Sequence, residues 1–103
     1  MSLASPLHAN LDFCQPRLTA SRRPGFLRLS CAMNGASAVR IYTRIRGDDW
    51  RVLLEHCEAV TIDDYTPVET AGRDETREYR ASAVVGDEEV GEPSEIITVD
   101  VSG

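Results

Sequence analysis

No apolar stretch in the 103 residues approaches the roughly 20 that a membrane-spanning helix needs, so no bilayer-crossing helix is expected. The opening Met-Ser-Leu-Ala-Ser-Pro lacks a charged segment leading into an apolar run, so no secretory leader is expected. Residues 1–6 are expected to stand outside the folded unit, disordered or extraneous to it. Seven glycines and five prolines fall without period, which excludes collagen-like and low-complexity sequence. No segment recurs at a fixed interval, which excludes a solenoid. There is no Gly-rich phosphate loop and no Gly-x-Ser-x-Gly elbow. Cysteine occurs only at Cys14, Cys31 and Cys57, with no CxxC pair. An odd count argues against a secreted disulfide framework, and three reduced thiols are expected, Cys31 serving as a small buried hydrophobe. Lysine is absent altogether, and all eleven basic residues are arginine.

What is present is the composition of one ordinary domain: 42% hydrophobic, 27% charged and 6% aromatic. Residues 1–103 are read as a single domain. A core of this size is stable without obligatory metals or cross-links. The net charge of −6 is unevenly spread, about +5 over Met1 to Leu53 and −11 over Leu54 to Gly103. Alternating apolar residues in Tyr79 to Val85 and Ile96 to Val101 argue against an acidic tail, so the asymmetry is placed on strand faces, where neighbouring strands neutralise one another. So acidic a surface is a poor match for nucleic acid.

Period two dominates the chain. Leu27, Leu29, Cys31 and Met33 share one face of a strand, with Arg28 and Ser30 on the other. Val39, Ile41, Thr43 and Ile45 repeat the pattern, opposite Arg40, Tyr42, Arg44 and Arg46. Asn34-Gly35 supplies a turn between them, and Gly47-Asp48-Asp49 reverses the chain into a short strand from Trp50 to Leu54. Ala59 to Ile62 is a further short strand. Asp63 to Thr76 reads as a long crossing loop. Tyr79, Ala81, Ala83 and Val85 share a face within Glu78 to Val85. Gly86-Asp87-Glu88-Glu89 turns that strand back, and Ile96 to Val101 forms the last one. The first strand falls somewhere between Leu7 and Thr19, with Ser21 to Gly25 as punctuation. About seven short strands at this spacing imply an all-β sandwich of two facing sheets.

The stretches Glu78-Tyr79-Arg80-Ala81-Ser82-Ala83-Val84-Val85 and Gly91-Glu92-Pro93-Ser94-Glu95-Ile96-Ile97-Thr98-Val99 resemble the last two strands of fibronectin type III domains. In that family a tyrosine opens the penultimate strand and a Gly-x-x-Ser pattern leads into the final one. Phe26 to Cys31 is similar to the family's second strand, with Cys31 where a tryptophan is common. Together with Ile41-Tyr42, Trp50 and Glu75 to Ala81, the pattern is similar to a bacterial variant of the domain. The resemblance spans about Phe26 to Ser102. It implies a seven-stranded immunoglobulin-like (fibronectin type III) β-sandwich in which Trp50 or Tyr42 fills the volume vacated at Cys31. It also implies a non-catalytic interaction or spacer module, one bead of a multidomain protein, monomeric or weakly oligomeric. Its partner would be a protein or a glycan. A carbohydrate- or calcium-binding module is the alternative. An immunoglobulin domain with its inter-sheet disulfide is disfavoured, because Glu78 to Val85 holds no partner for Cys31.

No cofactor, metal ligand set or catalytic group is expected. His56 and Cys57 are adjacent, but neighbours in a strand point to opposite faces and cannot form a base and nucleophile. His8, Cys14, His56 and Cys57 show no zinc-ligand spacing. Asp63-Asp64 and Asp87-Glu88-Glu89 lack the EF-hand rhythm. Arg46-Gly47-Asp48 matches the tripeptide that some fibronectin type III domains present to integrins. In those domains it lies between the last two strands, whereas here it follows the third element and is read as a turn. Interface anchors are sought among aromatic and arginine side chains. Arg40, Tyr42, Arg44 and Trp50 are the candidate partner-binding residues, with Tyr65 as a further aromatic, and Tyr79 is expected to be buried with its hydroxyl bonded to backbone.

Overall fold

The computed structural model describes residues 14–102 and contains no helix among them. Of the span Leu7 to Thr19 expected to hold the first strand, Leu7 to Phe13 lies outside the described residues, as do residues 1–6 and His8, and the first described strand begins at Arg17. Among the described residues there are eight strands: β1 (Arg17–Arg23), β2 (Phe26–Ala32), β3 (Val39–Ile45), β4 (Arg51–Cys57), β5 (Thr61–Asp64), β6 (Glu75–Val85), β7 (Glu88–Val90) and β8 (Ile97–Val101). They form two antiparallel sheets in a sandwich-like arrangement. One sheet has the order β1-β2-β5, and the other runs β4-β3-β6 with both β7 and β8 along the far side of β6.

Alternation on β2, β3 and β6 builds the interior. Leu27, Leu29 and Cys31 from one sheet and Val39, Ile41, Tyr79 and Ala81 from the other form one buried cluster, joined by Leu18 and Cys57. Each large aliphatic side chain enclosed this way contributes about 1.5–3 kcal/mol relative to exposure. Thr43 also faces inward, and its hydroxyl donates to the Glu78 carbonyl at 3.1 Å. Val85 departs from its expected inward face and is 44% exposed, because it already belongs to the hairpin, opposite Glu88, past the last core layer.

Several boundaries move. β1 continues to Arg23, so that only Pro24 and Gly25 form the turn; Arg23 pairs with Phe26 and Gly25 takes φ 85°, which suits glycine at the third position of a type II turn. Asn34 and Gly35 both have positive φ and close the Met33–Ala36 turn, as a type I′ geometry requires. β4 extends three residues beyond Leu54, and β6 begins at Glu75 rather than Glu78. The strand beyond the expected seven is β7, the acidic Glu88–Val90, whose composition carries no alternation and which pairs only because the Gly86 turn lays it against β6. Between β7 and β8 the ladder is interrupted, and Ser94 repairs it. Its amide donates to the Ala81 carbonyl at 2.7 Å, and its hydroxyl accepts from the Ala81 amide at 2.8 Å.

Asp63 and Asp64, expected in a loop, are strand residues. Asp63 faces out and holds Arg28 through two bonds of 2.8 and 3.1 Å. Asp64 faces in, 5% exposed, and is the centre of a buried polar brace. It accepts from the Tyr79 hydroxyl at 2.7 Å and from the Thr66 amide and hydroxyl at 3.0 and 2.6 Å. Arg77 lies 3.8 Å from it, donates to the Thr66 carbonyl at 2.9 Å and pairs with Glu75. Tyr79 is thus buried as expected, but its hydroxyl meets a carboxylate rather than backbone. Trp50 and Tyr42 fill no core volume; the largest fully buried side chain is Tyr79 itself.

Burial pushes the Asp64 carboxyl up, but the bonds from Thr66 and Tyr79 and the Arg77 charge outweigh it and hold it below the ordinary carboxylate value of 3.8. Glu75 is likewise held down, burial being overcome by the Glu69 amide and Arg77. Groups depressed in the folded state stabilise it above their ordinary values and lose that contribution as pH falls through the folded ones. Asp64→Asn is expected to cost about 2 kcal/mol at pH 7 and distinctly less at pH 3. Urea unfolding at the two pH values measures this, and an equal loss at both would contradict it.

Candidate functional site

Because β3 pairs with β6 in the register Arg40↔Ser82, Tyr42↔Arg80 and Arg44↔Glu78, the outward residues of both strands form one continuous face. Trp50 joins it from the turn before β4. The four residues expected on sequence grounds, Arg40, Tyr42, Arg44 and Trp50, are therefore brought together. At their centre is Arg80, which the sequence reading passed over.

These side chains interleave. The Arg44 guanidinium stands 4.2 Å over the Trp50 ring, and that of Arg80 lies 5.2 Å from Trp50 and 4.8 Å from Tyr42. Such contacts contribute about 0.5–2 kcal/mol each, more as water is excluded. The Arg80 Nε is buried with no hydrogen-bond partner, which fits a guanidinium held by ring faces instead of acceptors. Carboxylates close the ladder at both ends. Glu78 takes Arg44 at 2.7 Å and Arg46 at 3.8 Å. Glu89 on β7 takes Arg40 at 3.1 Å and the Tyr42 hydroxyl, while Glu55 on β4 takes Arg40 at 3.1 Å. Burial raises the Glu89 carboxyl, but Tyr42 and Arg40 outweigh it and hold it ionised below its ordinary range. Its bond also pushes the Tyr42 phenol up. The expected cationic face is thus a charge-balanced brace across β4, β3, β6 and β7. Arg80 was legible only as an outward residue beside inward Tyr79; its place between two rings needed the strand register.

The remaining motifs are structural. Arg46, Gly47 and Asp48 are exposed in a turn closed by the Asp48 amide on the Ile45 carbonyl at 2.9 Å, with Gly47 at φ 93°. His56 is outward, 3.2 Å from Glu58, while Cys57 is buried on the opposite side with its thiol 3.5 Å from the Ala59 carbonyl. Cys14 and Cys31 are buried too, and all three thiols are free. Burial, helped by nearby Cys57 and Cys14, pushes the Cys31 thiol up to about 11. Among the described residues no three His, Cys, Asp or Glu side chains are grouped to hold a metal ion. Tyr65 is 65% exposed and stacks on Phe26, ring centroids 4.8 Å apart, on the outer face of the three-stranded sheet.

The fold and this face define an all-β, two-sheet domain whose outer polar residues tie strands together. No family model matches the chain, and no curated protein matches it. Among solved structures it is similar to the pectate lyase PelI from Erwinia chrysanthemi in complex with tetragalacturonic acid, with a TM-score of 0.62 and 14% identity. The match covers 82% of this chain and 28% of that one, so the chain spans a little over a quarter of that protein's length. Likeness at that identity carries the fold alone.

Trp50→Ala removes the ring that two guanidiniums share and is expected to destabilise the fold by about 2 kcal/mol. Combined with Arg44→Ala the loss should fall short of the sum by about 0.5–1 kcal/mol, since both variants break the same contact. Denaturant unfolding followed by circular dichroism measures the cycle, and strict additivity would mean the stacking contributes nothing.

Proposed function

We propose that the chain is a fibronectin type III-like β-sandwich that serves as a non-catalytic interaction or spacer module of a larger protein. The observation that carries the reading is how the chemistry-bearing side chains are used. Tyr79, Asp64, Arg77 and Glu75 brace the interior, Arg40, Arg44 and Arg80 brace the outer face, and the three thiols are enclosed. Groups committed to holding strands in register are not poised to move protons or attack a substrate. The type is supported by β4 lying beside β3; in an immunoglobulin constant domain the fourth strand joins the sheet of the first two. If the interrupted edge β7–β8 is counted as one strand, the total is the family's seven. A place within a longer protein is supported by the neighbour, of which this fold makes up only part.

The neighbour is a pectate lyase in complex with tetragalacturonic acid, and that activity is not carried over to a chain that spans 28% of it. Carbohydrate binding without cleavage is the second reading, favoured by the Phe26–Tyr65 stack, in which Tyr65 is exposed and Phe26 half-buried. Calcium has less support, since Asp63, Asp64 and Glu89 are taken by Arg28, by the Tyr79 brace and by Arg40.

Two measurements test the module reading. In the native protein Cys57 should react with iodoacetamide no faster than an unstructured cysteine peptide, and polygalacturonate incubated with the protein should keep its length. Accelerated Cys57 labelling, or any chain scission, would replace the reading with an enzymatic one.

A further inference from the structure

Five of the eleven arginines are held in ion pairs: Arg28 with Asp63, Arg40 with Glu55 and Glu89, Arg44 and Arg46 with Glu78, and Arg77 with Glu75 and Asp64. Arg22 and Arg23, at the end of β1, differ. Arg22 donates only to the Asp100 carbonyl at 3.3 Å, and neither residue forms an ion pair among the described residues. Arg23 lies near Asp63, but that carboxylate is already held by both guanidinium bonds of Arg28. Among the described residues no carboxylate forms an ion pair with either of these adjacent cations.

Two independent features converge on the same place. A cavity of about 490 Å³ opens at this end of the sandwich, bordered by Arg22, Arg23, Phe26, Pro67, Val68 and Val101. Beside it, β-pairing sets Arg23 opposite Phe26, and Phe26 stacks on exposed Tyr65. Arg23, Phe26 and Tyr65 thus make a row across the edge of the sheet, two strand spacings or about 10 Å wide. One end of the row is cationic and the other is an accessible aromatic face.

On these observations we infer that the β1–β2 end of the domain is a binding site for a uronate-containing oligosaccharide. This deepens the carbohydrate-binding reading and rests on the domain being a non-catalytic module. Arg22, opposite inward Leu27, faces the cavity and Arg23, opposite Phe26, faces the outer side of the sheet, so their planar guanidiniums receive carboxylates of successive sugar residues, which they match in charge and in fork geometry. The apolar C–H face of a pyranose ring packs on Tyr65, whose π-face is electronegative. A carboxylated sugar carries both recognition elements in one residue, an anion and a flat apolar face. The densely charged phosphate backbone of a nucleic acid fits less well, because a protein of net charge −6 repels it over most of its surface.

Calorimetric titration of the intact protein with mannuronate and galacturonate tetrasaccharides tests the site, with carboxyl-reduced tetrasaccharides, a sulfated uronate-free maltotetraose and phosphatidylserine vesicles as comparators. At least one uronate tetramer should bind, more weakly at high salt, and its carboxyl-reduced form should not. Arg22→Ala/Arg23→Ala should weaken binding about tenfold or more, and Tyr65→Ala should weaken it without altering the salt dependence. These residues are exposed, and circular dichroism of each variant verifies the fold. The assignment is overturned by no uronate binding, by equal binding of the reduced sugar, by an unaffected double variant, or by preference for the sulfated uronate-free sugar or the vesicles. Failure of this kind, with Cys57 unreactive and the sugar uncut, leaves the module reading standing. Cleavage of the tetrasaccharide during titration removes that reading instead.

Discussion

The pairing of β3 with β6, unbroken from Val39↔Ala83 to Ile45↔Arg77, is the contact on which both faces of the larger sheet depend. Its inner side sets Val39 and Ile41 beside Tyr79 and Ala81, against Leu27, Leu29 and Cys31 of the opposite sheet. Its outer side sets Tyr42 beside Arg80 and Arg44 beside Glu78. A slip of one residue would turn one strand over, sending its aliphatic row into water and two charges into the core, so register here is set by burial and by charge together.

The interior is not uniformly apolar, and its polar part has a location. At the end where β5 runs into the loop before β6, Asp64, Arg77, Glu75 and Tyr79 are enclosed and mutually bonded. Burying such groups is costly unless all of them are satisfied, and replacing one partner leaves another stranded. The brace therefore demands a specific path for residues 65–74, since the Thr66 and Glu69 backbone supplies part of the bonding. The same end carries the cavity and the two unpaired arginines, so the loop that the brace positions also shapes the candidate ligand surface.

The outer face of the large sheet illustrates how exposed-looking residue types come to be structural. Aromatic and arginine side chains are what an interface favours, and Arg40, Tyr42, Arg44 and Trp50 have that composition. Glu55 and Glu89 lie 15 and 49 residues from Arg40 in sequence, yet β4 and β7 bring both carboxylates to it. The charge that would attract a partner is neutralised within the domain. At the β1–β2 turn, by contrast, no described carboxylate pairs with Arg22 or Arg23, and Asp63, which lies near Arg23, is already bound by Arg28.

Strand identity was readable wherever one side of a strand is buried, because alternation is a local consequence of the pleat: Phe26 to Met33, Val39 to Arg46 and Tyr79 to Ala83 all show it. The turns at Asn34-Gly35 and Gly47 were readable for the same reason, since positive φ selects its residues locally. Asp64 reads as loop from composition because its neutralising partners lie on another strand. The acidic β7 shows no pattern because pairing with β6 alone makes it a strand. Which arginines are spent and which remain free depends on carboxylates distant in the chain, and such pairings exist only once two sheets have closed on each other.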